Sequence, residues 1–243
     1  MKQFKLATLL FCTAGVFFLI SCGGEGDGTD SAAAGSDTTT AVILDANTIV
    51  TTPVNMMVIK HKVANFAKWK DAYEAHDSVR LANGIHNYVL GRGLQDSNMV
   101  LVALKVDDIA KAKAFGKDPN LKKVMQKAGV TGAPAISYFT TSWQDTAVIS
   151  SAIRSRTQFT VKDWDAWLKS FEEGKQERTD NGITARVVGH DADDNKKVSL
   201  VTALIDTAKA AAYFKSDALK KRREAGGVMG EPERFVFQVV KRY

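Results

Sequence analysis

The chain has 243 residues, a net charge of +6 and two cysteines, Cys12 and Cys22. Both cysteines lie in the first 22 residues, which excludes a disulfide-stabilised core and a cysteine nucleophile from the rest of the chain. Basic residues exceed acidic ones by five over residues 53–150 and by four over residues 151–243, without a single basic stripe. This even distribution argues against nucleic-acid binding and favours attraction to anionic membrane or cell-wall polymers.

The amino terminus has the pattern of a secretory signal. Two lysines precede an apolar run at residues 6–20, which is too short and wrongly flanked for a permanent membrane span. The run ends in Leu-Ile-Ser-Cys, which resembles a bacterial lipobox whose cysteine receives diacylglycerol. We therefore predict a lipoprotein signal peptide at residues 1–21 and a lipid on Cys22 that anchors the protein to a membrane of the bacterial cell envelope, on its periplasmic side or at the cell surface. An ordinary signal peptide followed by a chance cysteine is the alternative.

A change of composition follows Cys22. Residues 22–52 are rich in Gly, Ser, Ala, Thr and Asp and contain five acidic residues but no Lys or Arg. Such a segment is predicted to be a flexible acidic tether between the lipid and the folded part. An acidic, Gly-rich stretch after a lipidated cysteine also resembles the surface-export signals of some lipoproteins, with a solvated spacer as the alternative.

The remainder of the chain contains an internal repeat. Residues 56–145 align with residues 154–243 at a constant spacing of 98 and without a gap. The sequence therefore predicts two tandem domains, at residues 53–148 and 149–243. Identities that recur between the copies include Val63/Val161, Trp69/Trp167, Glu74/Glu172, Arg80/Arg178, Asn83-Gly84-Ile85/Asn181-Gly182-Ile183 and Pro134/Pro232.

Within each copy the hydrophobic period alternates between that of a strand and that of a helix. The resulting order, β-α-β-β-α-β, is that of the ferredoxin-like split unit, so the predicted class is α+β. The predicted elements of the first copy are a strand at 56–63, a helix capped by Asn65 and running to Asn83-Gly84, strands at 85–93 and 98–106, a helix from Asp107 to Gly129 restarted at Asp118-Pro119, and a strand at 135–141.

The run VANFAKWKDAYEAHDSVRLANGI, the strand pair after it and the ending AGVTGAP resemble the antibiotic-biosynthesis-monooxygenase-like branch of the dimeric α+β barrel superfamily. The resemblance covers both copies. It implies two ferredoxin-like domains that pair sheet to sheet, here as a pseudo-dimer within one chain. It also implies that small aromatic or polyketide-like substrates, or haem, bind between sheet and helices.

The first helix of the first copy carries an aromatic stripe. Its members have spacings of 3, 4, 3 and 4 and fall within an arc of roughly 80°, so they share one helix face. They are Phe66, Trp69, Tyr73, His76 and Arg80, and the second copy has Trp164, Trp167, Phe171, Gly174 and Arg178 at these positions. Such a stripe is typical of core packing, which is the alternative to a binding site.

Three differences between the copies favour a ligand site in the first. His76 becomes Gly174, Tyr73 becomes Phe171 and, on the first strand, His61 becomes Phe159. A neutral histidine could act as a base or hydrogen-bond donor, and Tyr73 could orient a phenolic or carbonyl oxygen. We therefore predict that the first domain, but not the second, has a cavity for a small apolar or aromatic molecule. The alternative is that both histidines are hydrogen-bonded and partly exposed. The predicted pocket residues are His61, Trp69, Tyr73, His76 and Arg80.

The second strand indicates how the copies meet. His86 and Tyr88 alternate with apolar residues and are predicted to point away from the helices, towards Thr184 and Arg186 of the other copy. We interpret this as pairing specificity, with a wet barrel interior as the alternative.

No His or Cys cluster with metal-ligand spacing, no Gly-rich phosphate loop and no nucleophile elbow occurs, so neither metal nor cofactor is predicted. Three functions remain open for the anchored protein. It could bind a small molecule without turnover, act as a cofactor-independent monooxygenase-like enzyme, or be a non-catalytic interaction protein of the envelope with filled cavities.

Overall fold

The computed structural model describes residues 48–243, so the predicted signal peptide, the lipidated Cys22 and most of the tether lie outside the described residues. Within residues 48–243 no helix is long and apolar enough to cross a membrane. The strands are β1 (Ile49–Val50), β2 (Val54–Val63), β3 (Ile85–Gly93), β4 (Met99–Val106), β5 (Val130–Asp145), β6 (Ile153–Val161), β7 (Ile183–Asp191), β8 (Lys197–Leu204) and β9 (Val228–Arg242). The helices are α1 (Phe66–Ala75), α2 (Asp77–Ala82), α3 (Ile109–Lys117), α4 (Pro119–Lys127), α5 (Trp164–Glu173), α6 (Lys175–Asp180), α7 (Thr207–Tyr213) and α8 (Asp217–Ala225).

Each half contains the predicted β-α-β-β-α-β order, with both helical segments divided in two. The fold is therefore α+β with antiparallel, ferredoxin-like halves. One expectation differs: β1 lies within the segment predicted as tether and pairs with the end of β5.

The predicted helix starts follow from side-chain capping. Asn65 has an extended backbone, and its side chain accepts a hydrogen bond from the amide of Lys68. The helix was predicted to continue to Asn83-Gly84, but it breaks at His76. There, the Arg80 guanidinium and the His76 amide both donate to the Tyr73 carbonyl, which is thereby removed from the regular α-helical ladder.

The strands β2 to β9 form one closed ring. Their order is β5-β2-β4-β3-β9-β6-β8-β7, and β7 pairs back onto β5. Two of these pairings, β3 with β9 and β5 with β7, join the first half to the second. Every edge of each half's four-stranded sheet is therefore paired with the other half.

Alternation along the strands creates two separate apolar layers. On β2, Met57, Ile59 and Val63 pack beneath the helices of the first half. Met56 and Val58 point the other way, into the interior of the ring. The second half has its own layer beneath its helices, so potential binding spaces lie both under the helices and inside the ring.

Candidate functional site: cavities between sheet and helices

A cavity of about 50 Å³ lies between α1 and the sheet of the first half. A space of this size admits only a few water molecules. The structure brings all five predicted pocket residues to its wall: His61, Trp69, Tyr73, His76 and Arg80.

Tyr73 is held by its neighbours on every side. Its ring stacks on Trp69 with centroids 5.1 Å apart, and the Arg80 guanidinium lies 3.9 Å from the ring centroid on another side. Its hydroxyl donates to the Asn87 side-chain oxygen, and the Asn87 amide donates to Asp77 at 2.6 Å. Burial raises the pKa of Tyr73 well above its usual value. The hydroxyl already donates its hydrogen bond to Asn87, and it is therefore poorly placed to orient a ligand.

The two histidines of this cavity are in different environments. His61 is 4% exposed, its ring lies 5.2 Å from that of Trp69, and neither ring nitrogen forms a hydrogen bond. Burial lowers the pKa of His61 to about 4, so this side chain is neutral at pH 7. His76 is half-buried between α1 and α2, and burial followed by the charge of Arg80 lowers its pKa. The pair therefore presents neutral imidazoles to a very small space.

The equivalent cavity of the second half is larger, at about 90 Å³. The Trp167 ring lies 5.3 Å from Phe159 and 5.2 Å from Phe171, and all three rings line the cavity. Phe171 is stacked on Trp167 and Phe159 meets it edge to face, so the three rings form an apolar wall. Further apolar lining comes from Ile183, Leu200, Phe214, Leu219 and Val228.

The prediction that only the first domain has such a cavity is wrong. The structure explains Gly174 differently, because a Cβ atom there would lie 3.1 Å from both Arg178 Nη1 and Arg222 Cδ. Glycine thus gives the Arg222 side chain room to pack against the junction of α5 and α6. At the matching positions the first half has His76 and Val124, which both line its cavity.

The second cavity differs from the first in charge. Arg222, Arg223 and Arg234 line it where the first half has Val124, Met125 and Ile136. Arg178, which matches Arg80, is a fourth lining arginine, and none of the residues lining this cavity is a carboxylate.

Three of these arginines are fixed by neighbours. Arg178 donates to the Phe171 carbonyl, and its guanidinium lies 3.6 Å from the centroid of the Phe171 ring. Arg222 forms an ion pair with Glu177, and the Arg234 guanidinium lies 3.6 Å from the centroid of the Phe214 ring. Burial, followed by the charge of Arg223, lowers the pKa of Arg234 to about 10, which leaves it protonated at neutral pH.

A tyrosine adds a polar group to this apolar space. Tyr213 is 5% exposed, and its hydroxyl makes no hydrogen bond of normal geometry. Burial, followed by the nearby Glu177 carboxylate, raises its pKa. The Glu177 carboxylate thus lies near this hydroxyl and is itself paired with Arg222.

Sequence reasoning missed Tyr213 and the three additional arginines. The differences that predict a ligand site in the first copy lie on its first strand and first helix, whereas these residues lie on α7, α8 and β9. Comparison at the same spacing of 98 gives the signal directly, since Val124, Met125 and Ile136 all become arginine.

Within residues 48–243, no group of three or more His, Cys, Asp or Glu side chains is arranged to hold a metal ion.

No protein-family model matches the sequence, and no curated protein does. Solved structures do match. An anthrone oxidase-like protein is similar with a TM-score of 0.57 and 14% identity, over 80% of this chain and 95% of that one. A proposed monooxygenase from Fusobacterium nucleatum has a TM-score of 0.51 and 14% identity, over 78% and 93%. A proposed chlorite dismutase has a TM-score of 0.51 and 12% identity, over 78% and 96%. At this identity the likeness shows a shared fold.

Proposed function

We propose that this protein is a lipid-anchored ligand-binding protein of the bacterial envelope. Its two halves would be an intramolecular counterpart of a dimeric α+β barrel, and its ligand a small aromatic molecule with an acidic group. The observation that carries the proposal is the cavity beneath α5, which combines aromatic walls with four lining arginines and no lining carboxylate.

The chemistry of this cavity suits such a ligand. Trp167 and Phe159 offer apolar ring surface to a small aromatic group, whereas the Phe171 ring is covered by Trp167 and by the Arg178 guanidinium, 3.6 Å from its centroid. Guanidinium groups bind carboxylates through paired, charge-assisted hydrogen bonds. A ligand that satisfies both features would place its ring in the cavity and its acid among the arginines at the wall.

Native mass spectrometry of the full-length lipoprotein, purified from its own envelope, tests this proposal. We expect one retained small organic acid. The double variant Arg222→Val with Arg223→Met introduces the first-half residues and should lose the molecule. Lys220→Met with Lys221→Met removes the same charge from exposed positions of the same helix and should retain it. Equal retention by both double variants would refute this binding site.

The anchor has a separate test. Cys22→Ser should move the protein from the detergent phase to the aqueous phase, because the lipid would be lost while residues 48–243 keep their fold. Far-ultraviolet circular dichroism provides the control for folding. Recovery of the variant in the membrane fraction to the wild-type extent would contradict lipid anchoring.

A monooxygenase-like enzyme is the second candidate. Its support is the buried, neutral His61, whose unpartnered ring nitrogens could take a proton, together with the names of the similar structures. The 50 Å³ space beside His61 is too small for a fused-ring substrate, and we therefore favour binding. Oxygen uptake with anthrone, which would yield anthraquinone and water, distinguishes the two. Uptake by the wild type that His61→Phe abolishes would establish the enzyme.

A further inference from the structure

A further cavity lies inside the ring of strands, on the opposite side of the sheet from the helices. Its volume is about 520 Å³, within the range of pockets that hold small organic ligands. The walls come from both halves and include residues 144–152, from the end of β5 to the start of β6, together with the last residues of β9. This space is distinct from the cavities beneath α1 and α5.

Three buried arginines face this space from the second half. Arg154 is 4% exposed, and Arg156 and Arg186 are each 6% exposed. Their counterparts in the first half, at the same spacing of 98, are Met56, Val58 and Tyr88, which line the same cavity. Since the fold accepts apolar or aromatic residues at these positions, packing alone does not require arginine.

The protein neutralises only part of this charge. Arg186 forms an ion pair with Asp145 at 2.8 Å. Arg154 donates only to backbone carbonyls, those of Ser151 at 2.7 Å and Ile153 at 2.9 Å. Asp145 is the single side-chain carboxylate among the residues that line the cavity.

Arg156 extends across the ring towards the other half. Its guanidinium donates to Gln158 and, at 2.9 Å, to the Ser137 hydroxyl on β5. Its Nε atom is buried and forms no hydrogen bond. Glu233 attracts Arg156 at longer range but is itself paired with Lys60.

Two further basic residues, Lys241 and Arg242, line the same cavity, and Lys241 is paired with Glu74. Burial, followed by the charges of Arg242 and Arg186, lowers the pKa of Arg154 to about 10. Burial likewise lowers the pKa of Arg156 to about 10. Arg154 and Arg156 thus remain protonated at neutral pH, and buried cations without matching anions are costly.

The first half supplies the opposite surface. Met56, Val58, Leu101 and Phe139 are buried and form an apolar wall, with Phe237 from the second half packed against them. A molecule that fits the space must therefore combine a compact negative group with an apolar body.

We propose that the interior of the ring is a second binding site, for a small amphiphilic organic anion. Its oxyanion group binds Arg154, Arg156 and Arg186, and its apolar body lies against Met56, Val58 and Leu101. The site is independent of the cavity beneath α5.

Fluorescence titration with two matched probes tests this site in the full-length protein. The probe 1-anilinonaphthalene-8-sulfonate carries an anionic group, and N-phenyl-1-naphthylamine has the same rings without it. Arg156→Val, which introduces the first-half residue, should weaken binding of the sulfonate about tenfold or more, while binding of the neutral probe changes by less than about threefold. Arg92→Met, which removes an arginine outside the cavity, should alter neither.

Stability separates a binding role from a structural one. Without ligand, Arg156→Val should have an unchanged or higher Tm, because it removes an uncompensated buried charge. A lower Tm with parallel weakening of both probes would overturn the proposal. If Arg156→Val does not fold, Arg154→Met is measured with the same probes and the same criteria.

Two further outcomes would also overturn it. Weaker sulfonate binding in Arg222→Val with Arg223→Met, but not in Arg156→Val, would place the anion beneath α5. Displacement of the sulfonate by inorganic phosphate as effectively as by decanoate would show that no apolar body is required.

Discussion

His61 illustrates how the repeat separates what the fold requires from what it tolerates. Its counterpart Phe159 lies 5.3 Å from Trp167, and His61 lies 5.2 Å from Trp69. The fold thus accommodates either a polar or an apolar ring at this position. At low pH the imidazole of His61 lowers the stability of the fold, because burial disfavours its protonated form in the folded state but not in the unfolded chain. Phenylalanine has no such effect.

This cost makes a pH-dependent prediction. The pKa of His61 is about 4 in the folded protein and about 6.5 when unfolded, so the unfolded chain binds more protons between these values. The free energy of unfolding should therefore fall as pH falls through this window, by about 2 kcal/mol between pH 7 and pH 5 from this group. His61→Phe should lack this component in urea denaturation at both pH values. An identical pH dependence in the two proteins would show that His61 is not buried as described.

At individual positions, sequence reasoning succeeded where the cause is local. The Asn65 cap and the shared face of Trp69 and Tyr73 depend on spacing along one helix, which the sequence displays. Sequence reasoning misinterpreted Gly174, because the side chain that favours glycine there is Arg222, which lies 48 residues further along the chain. The additional arginines of the second cavity likewise come from α8 and β9, and only the three-dimensional structure shows that these two elements lie close together.

Among the secondary-structure elements, the strand pairings that join the halves, β3 with β9 and β5 with β7, tolerate the least change in side-chain size. Gly91 on β3 and Gly189 on β7 are counterparts in the repeat, and each lies where a strand of the other half passes closely. A Cβ atom at Gly91 would lie 2.3 Å from the Phe237 ring, whereas one at Gly189 would lie 2.3 Å from the Thr140 carbonyl oxygen. A side chain can rotate away, but a paired backbone cannot without breaking the strand contact.

We therefore expect unequal costs from the same substitution. Gly189→Ala should lower the free energy of unfolding by about 3 kcal/mol, because β5 and β7 must separate, whereas Gly91→Ala should cost about 1 kcal/mol, since the Phe237 ring can move towards the interior cavity. Urea denaturation of both variants measures the difference, and each serves as the control for the other. Equal costs, or a larger cost at Gly91, would contradict the assigned β5–β7 pairing.

Strand lengths were predictable only in part, for the same reason. The strand predicted at residues 135–141 is β5, which extends from Val130 to Asp145. Its last residues pair with β1 and with β7 of the other half, so their strand state depends on non-local partners. By contrast, β3 occupies the predicted range, 85–93, because its alternating pattern and preceding Gly84 mark both its face and its start.

Considered as a whole, the ring is asymmetric in chemistry although its halves share one fold. The first half contributes apolar groups such as Met56 and Val58 to the interior, and the second contributes Arg154 and Arg156 at the matching positions. A ring built from two identical first halves would bring two apolar inner faces together. Two identical second halves would instead bring buried arginines together without Asp145, which belongs to the first half.

Separate expression of the halves should therefore give different results. Residues 48–148 retain an apolar inner face and two unpaired strands, β3 and β5, which can pair with β5 and β3 of a second copy. We expect a homodimer, detected by light scattering after size-exclusion chromatography and by unfolding that depends on concentration. Residues 149–243 should not dimerise, because charge repulsion inside the ring opposes it. Dimers from both halves would show that the interior charges are compensated, and a cooperative monomer from residues 48–148 would show that the halves fold independently.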